Sequence, residues 1–263
     1  RADQVGSLLR PPGLMAARSQ FQQGHIDAAA LRQAEDVAIE AVARQQEACG
    51  FQVVVDGEFR RENWWIDFVR GLQGVEIRDG AASQAFVAPE IALENEAGNA
   101  HSERAEGQKS HESADGHGHD HGDDSGWKYV PKNVVTTGRV GAAAPITVAD
   151  FSHLQGCTRR TAKVTLPSPT RLHFHGGRAA VSQQAYPDME GFFADVVKVY
   201  RAEIAALEAA GCRYIQIDDP LMTYFISERM RAEVVAAGDN PDERPRRYVQ
   251  LTNDCIAARG PGT

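Results

Sequence analysis

Two stretches of this chain share one pattern: a long amphipathic helix, a glycine, and then a short apolar run. In the first, Asp27 is placed as an N-cap, with Ile26 and Leu31 as a hydrophobic staple. Leu31, Ala34, Ala38, Val42 and Cys49 fall on one helical stripe, Gly50 closes the helix, and Val53-Val54-Val55 follows. In the second, Pro187 opens a helix whose stripe is Met189, Phe193, Val196, Tyr200, Ile204 and Leu207, and Gly211 precedes Arg213-Tyr214-Ile215-Gln216-Ile217. A continuous apolar strand needs cover on both faces, so repeated helix-strand units predict an α/β fold with a parallel sheet.

Further strands are expected at Val134-Val135-Thr136-Thr137 and Lys163-Val164-Thr165-Leu166, separated by a short amphipathic stretch with Val148, Phe151 and Leu154. The strand ends carry polar residues bracketed by Gly or Pro: Val5-Gly6-Ser7, Asp56-Gly57-Glu58, Pro167-Ser168-Pro169 and Asp218-Asp219-Pro220. In a (β/α)8 barrel such ends converge on one active-site face. A doubly wound sheet usually carries a Gly-rich phosphate fingerprint after its first strand, and none is present. The expected fold is therefore a TIM-type barrel. Five strands, at Val5, Val53, Val134, Val164 and Ile215, are counted before a helical stretch around Tyr248 to Ala258 runs into Gly260-Pro261-Gly262-Thr263, so the expectation is a single partial barrel over residues 1–263, truncated after about five βα units.

Charge is placed unevenly. The chain has 36 acids and 28 bases, and ten acids but only two bases lie between Glu90 and Gly126, so this segment holds the whole net charge of -8. It also holds five of the nine histidines and almost no large apolar side chain, which predicts a solvated, disordered insertion at about 90–126. His117-Gly118-His119-Asp120-His121 offers loose ligands for Zn or Ni. No basic stripe with interleaved aromatics exists, which argues against nucleic acid, and no apolar stretch is long enough for a membrane span. Cys49, Cys157, Cys212 and Cys255 form no C-x-x-C pair and read as small buried hydrophobes, and the cytoplasm is the default compartment. Oligomeric state is not legible.

Four motifs carry a family resemblance: Arg1-Ala2-Asp3-x-Val5-Gly6-Ser7-Leu8-Leu9-Arg10-Pro11, Asp56-Gly57-Glu58-Phe59-Arg60-Arg61, Leu166-Pro167-Ser168-Pro169 and Ile215-Gln216-Ile217-Asp218-Asp219. Together they resemble the catalytic domain of cobalamin-independent methionine synthase, most nearly its short, stand-alone bacterial relatives. The resemblance implies a zinc-dependent transfer of the methyl group of 5-methyltetrahydrofolate, as a polyglutamate, to the thiol of homocysteine. It also implies that Glu58 and Asp218 hold the ammonium of the amino acid and that Ser7, beside Gly6, contacts its head group. Ser168 and Asp219 belong to the same substrate-binding set, the paired Asp218-Asp219 being typical of the short relatives. The chemistry needs a generated thiolate, an oriented amino acid and an acid for the leaving amine. By the family's pattern the zinc ligands, a His-x-Cys pair, a Glu and a final Cys, are expected beyond Thr263, so no metal ligand is assigned here.

Other residues read as structural. Arg10, Arg60 and Arg61 suit a carboxylate but are expected as solvated loop residues, Trp64 and Trp65 are expected to pack a helix, and His173-Phe174-His175, which follows the Pro-Ser-Pro strand end, offers too few ligands for a metal site and is expected in a loop or supporting role. The alternatives are a related thiol alkyltransferase or decarboxylase on the same barrel, and a noncatalytic metal-binding protein using the His-rich loop.

Overall fold

The computed structural model describes residues 3–79 and 132–263, and the acidic, His-rich stretch at 90–126 lies outside them. In chain order the elements are α1 (Pro12–Gln22), α2 (Ala28–Ala48), β1 (Val53–Val54), α3 (Ile66–Arg70), β2 (Gln73–Asp79), β3 (Lys132–Gly141), α4 (Val148–Cys157) and β4 (Thr161–Ala162). They continue with β5 (Val164–Pro167), α5 (Met189–Ala209), β6 (Ile215–Asp218), α6 (Glu228–Ala236) and α7 (Glu243–Ile256).

Both repeated units form as the sequence predicts. The Asp27 carboxylate accepts from Ala30 N at 2.8 Å to cap α2, and the Asp188 carboxylate accepts from Gly191 N at 2.9 Å to cap α5, so Pro187 stands just before the second helix rather than inside it. Gly50 and Gly211 both take the left-handed conformation expected of helix-closing glycines.

The sheet is parallel where it carries the polar strand ends. β1 pairs with β4, and β5 pairs with β6 in the register Val164↔Ile215 through Pro167↔Asp218. Because β4 and β5 are separated only by Lys163, one run from Thr161 to Pro167 has β1 beside its first half and β6 beside its second. Lys163 N donates to Val54 O at 2.9 Å, carrying the first ladder up to the junction. The described strands form three two-stranded pairs, and no closed barrel is formed among the described residues.

The main core gathers Ile39 and Ala43 of α2, Val54, Phe68, Phe151, Leu154, Leu166, and Phe192, Val196, Tyr200, Ile204 and Leu207 of α5. Apolar burial of this kind supplies most of the drive to fold.

Several expectations need correction. Val5-Gly6-Ser7 forms no strand: Val5 is 74% exposed, and the chain bends at Gly6. The buried face of α2 is Glu35, Ala38, Ile39, Ala43 and Gln46, shifted from the apolar stripe, and Cys49 is exposed. Gln46 explains part of the shift, since its amide accepts from Val55 N at 3.0 Å and donates to Val55 O at 2.8 Å, doing the work of a neighbouring strand. Cys212 and Cys255 are buried as expected, whereas Cys157 is only partly so. β2 has no apolar run and was not anticipated, although it is the partner of β3. His173-Phe174-His175 lies in turns after a 3-10 helix, Pro169–Leu172, in agreement with the loop reading.

Candidate active site at the ends of the parallel strands

Glu58 is the centre of the site. It is the one non-glycine residue with positive φ among those described, at 58°, and it is buried. A left-handed backbone at such a residue costs about 1–2 kcal/mol, so it persists only where its surroundings hold it. Here they do. Glu58 N donates to Asp56 Oδ1 at 2.9 Å, and its carbonyl accepts from Arg61 N at 3.1 Å and from the Arg10 guanidinium at 3.2 Å.

The Glu58 carboxylate is gripped from three sides. Ser7 Oγ donates to Oε2 at 2.7 Å, Thr165 Oγ1 donates to Oε1 at 2.7 Å, and Arg61 Nη1 lies 3.2 Å from Oε1. The bend at Gly6 passes so close that a Cβ there would stand 2.6 Å from Thr165 Cγ2 and 3.1 Å from Glu58 Oε1. With φ at 135° as well, the position admits glycine alone without strain. Ser7 itself is exposed, so the site is open on that side.

Asp218 ends β6, with Ser168 N donating to its carbonyl at 2.9 Å. Burial raises its side-chain pKa, the Gln216 amide pulls it back down, and the charge of Glu58 raises it again. The charges of Glu58 and Asp218 oppose one another, and Arg61, 3.2 Å from Glu58 Oε1, and Lys163 offset part of that repulsion. Asp219 is committed differently: Ser168 Oγ donates to its Oδ2 at 2.9 Å and Thr170 Oγ1 lies 3.3 Å from both oxygens. Burial raises its pKa, opposed by those hydroxyls and by the Leu221 and Met222 backbone. The structure therefore brings Gly6, Ser7, Glu58, Ser168, Asp218 and Asp219 to one end of the parallel strands, with Ser168 and Asp219 tying the ends of β5 and β6 together.

The arginines expected in solvent are embedded. Arg10 clasps the carbonyls of Glu58 and Arg61, and Arg61 Nη2 donates to Thr165 O at 2.6 Å. Arg60, with a side chain only 5% exposed, pairs with Asp36 at 2.6 Å and Asp150 at 3.0 Å. Trp65 is buried beneath the Arg171 guanidinium, 3.8 Å from its ring centroid, so it packs as expected. Thr165, Lys163 and Gln216 were not among the site residues expected from the sequence. The available signal was polar residues at alternate positions of apolar strands, Lys163-x-Thr165 and Gln216-x-Asp218, which share one face.

No group of three or more His, Cys, Asp or Glu able to hold a metal exists among the described residues. His173 is unsuited as a ligand through Nδ1. Arg244 Nε donates to Tyr248 OH at 2.8 Å, leaving the hydroxyl to donate to His173 Nδ1, also at 2.8 Å. Burial, aided by Arg244, depresses the His173 pKa to about 4. Burial also pushes the Cys255 thiol up to about 12, away from the thiolate a metal requires. No helix among the described residues is long and apolar enough to cross a membrane.

Comparison with known proteins gives a consistent answer. Residues 132–238 match the sequence model described as "Cobalamin-independent synthase, Catalytic domain". Two Bacillus subtilis (strain 168) proteins, named Uncharacterized protein YxjH and Uncharacterized protein YxjG, are each 32% identical over 98% of this chain. The chain spans 58% of the length of each of these relatives. A 5-methyltetrahydropteroyltriglutamate–homocysteine methyltransferase from Synechococcus sp. (strain JA-2-3B'a(2-13)) is 23% identical, matching 83% of this chain and 23% of its own length. The crystal structure of a Listeria monocytogenes protein, described as a candidate vitamin-B12 independent methionine synthase, superposes with a TM-score of 0.70 at 28% identity, covering all of this chain and 62% of that one. The resemblance carried by the motifs is thus matched over residues 132–238 by the catalytic-domain model of cobalamin-independent synthases, and over the whole chain by the fold of the Listeria monocytogenes structure.

Proposed function

We propose that this chain forms the amino-acid-binding part of a methyltransferase that moves a methyl group from 5-methyltetrahydrofolate, carried as a polyglutamate, to the thiol of homocysteine, on a (β/α)8 barrel to which the parallel pairs belong. The observation that carries the reading is the convergence of Ser7, Glu58 and Asp218 from three distant parts of the sequence, with Ser7 bonded to Glu58 and the Gln216 amide joining the Val5 carbonyl to Asp218. Arg61 already meets Glu58 Oε1, but Asp218 keeps one oxygen without a hydrogen-bond partner among the described residues, and a substrate ammonium supplies a charged donor for it. Ser7 and the backbone at Gly6 meet the rest of the head group, while Ser168 and Asp219 complete the rim. Holding the zwitterion fixes where its sulfur stands relative to the methyl donor, and positioning of that kind is worth several kcal/mol of barrier (about 7–11 in the best-oriented reactions). The same two carboxylates would repel a sulfonate thiol or a polycarboxylate porphyrin, which favours this reading over related thiol alkyl transfer and decarboxylation.

The zinc implied by the family resemblance finds no fitting ligand set among the described residues, so no step is routed through it here. The test is methyl transfer by the full-length protein from 5-methyltetrahydropteroyl polyglutamate to homocysteine. Formation of methionine, with Glu58→Gln and Asp218→Asn raising KM for homocysteine and not for the folate, supports the reading. Equal loss toward both substrates, or no methionine formed by the intact protein under any metal supplementation, contradicts it.

A further inference from the structure

Lys163 has a fully buried side chain, an expensive place for a charge unless its donors are used. An ammonium has three donors and no acceptor. Lys163 Nζ spends them on Asp3 Oδ1 at 3.0 Å, on the Gln4 carbonyl, and on Gln216 Oε1 at 2.9 Å. The last contact fixes which way the Gln216 amide points, because only its oxygen can face an ammonium. Its NH2 is consequently aimed at Asp218 Oδ1, 2.5 Å away, and at Val5 O, 2.6 Å away. Thr165↔Gln216 and Pro167↔Asp218 are in register, so Lys163, Thr165, Gln216 and Asp218 line one face of the paired strands. Asp218 Oδ2 accepts no hydrogen bond among the described residues.

We propose that Gln216 is a positioning residue for Asp218: anchored by Lys163 on its oxygen side, it holds one oxygen of that carboxylate and leaves the other directed to the substrate. This rests on the amino-acid-binding reading given above. Glutamine is suited to the place because it alone among side chains of this length offers an acceptor to Lys163 and two donors to the opposite acceptors. Its donors also tie the Val5 segment, and with it Ser7, to the same strand as Asp218. The charged groups facing Asp218 are Glu58 and Arg61 from the loop after β1 and Lys163 from the adjacent strand run; Glu58 raises its pKa and the two cations lower it.

The experiment compares the full-length protein with Gln216→Met and Gln216→Glu. The glutamate variant keeps the bond to Lys163 but replaces the donors with a charged acceptor, whereas the methionine variant removes the amide without adding charge and is the cleaner test; circular dichroism checks folding in both. Carbon-13 NMR of labelled Asp follows the Asp218 carboxylate, and steady-state kinetics follow each substrate. Asp218 is expected to titrate at higher pH in both variants, and kcat/KM for homocysteine to fall about tenfold, the weight of one charge-assisted hydrogen bond, with the folate KM unchanged. An Asp218 titration that stays in place in both folded variants overturns the inference. If Asp218 moves but the unaltered protein does not bind homocysteine, the positioning role stands and the proposed function falls.

Discussion

Thr165 and Glu58 are 107 residues apart in sequence, yet the Thr165 hydroxyl donates to Glu58 Oε1 at 2.7 Å in a buried contact. That bond joins the middle strand run to the loop after β1 and fixes one oxygen of the proposed ammonium acceptor. Thr165→Val keeps the shape and deletes the donor. Stability should fall by about 1–3 kcal/mol, because a buried charged acceptor loses a partner. Denaturant unfolding measures the loss, and KM for homocysteine should rise with it. Unchanged values for both would show the bond to be incidental.

Gly6→Ala tests the close approach at the rim. A methyl group at Gly6 meets Thr165 Cγ2 at 2.6 Å on a backbone already at φ 135°, so the segment must back away and carry Ser7 off Glu58. The expected outcome is a lower Tm together with weaker homocysteine binding. Ser7→Ala, by contrast, should weaken binding with little change in Tm, since Ser7 is exposed. Parallel losses in the two variants would contradict this division.

Glu203 serves the scaffold. Buried on α5, it accepts from Ile146 N at 2.8 Å, Thr147 N at 2.7 Å and Thr147 Oγ1 at 2.6 Å, which places a carboxylate at the positive end of α4. Glu203→Ala strands buried donors, each worth about 1–3 kcal/mol when unpaired. Thermal unfolding should show a drop clearly larger than that of Glu203→Gln, which keeps an acceptor oxygen. A smaller or equal drop would refute the capping role.

The first residues are tied down through Asp3, which accepts from Tyr214 OH at 2.5 Å and pairs with Lys163. The Tyr214 bond, then the Lys163 bond, hold its pKa at about 2 against the ordinary 3.8. Because the folded value is depressed, the stabilisation is fully present above about pH 4, and it fades as the pH falls toward 2. Exposure of Asp3 to solvent keeps the effect modest. The Tm difference between the unaltered protein and Asp3→Asn should shrink across that window, and a constant difference would contradict the linkage.

Much of this architecture could be read from the residue string because the strongest local signals agree with the global fold. Asp27, Gly50, Asp188 and Gly211 bound two helices whose apolar faces build the core, and the polar strand ends at Glu58 and Asp218 do gather at one place. What escaped notice depends on partners distant in sequence. The Arg61 guanidinium reads as solvated until the Thr165 carbonyl and Glu58 carboxylate are seen around it. β2 has exposed and half-buried residues and exists because β3 pairs with it, and Val5 looks like a strand residue although its carbonyl is met by the Gln216 side chain, with Lys163 holding the Gln4 carbonyl before it.

The central claim is that Glu58 and Asp218 together receive an ammonium group. Calorimetric titration of the full-length protein with homocysteine and with 4-mercaptobutanoate, which differs only in lacking that group, tests it directly. The unaltered protein should prefer homocysteine by about 100-fold, as expected when the analogue withholds a charged donor from a desolvated carboxylate, and Glu58→Gln and Asp218→Asn should each erase most of the preference. Equal affinity for the two thiols, or a preference that survives both substitutions, would contradict the account.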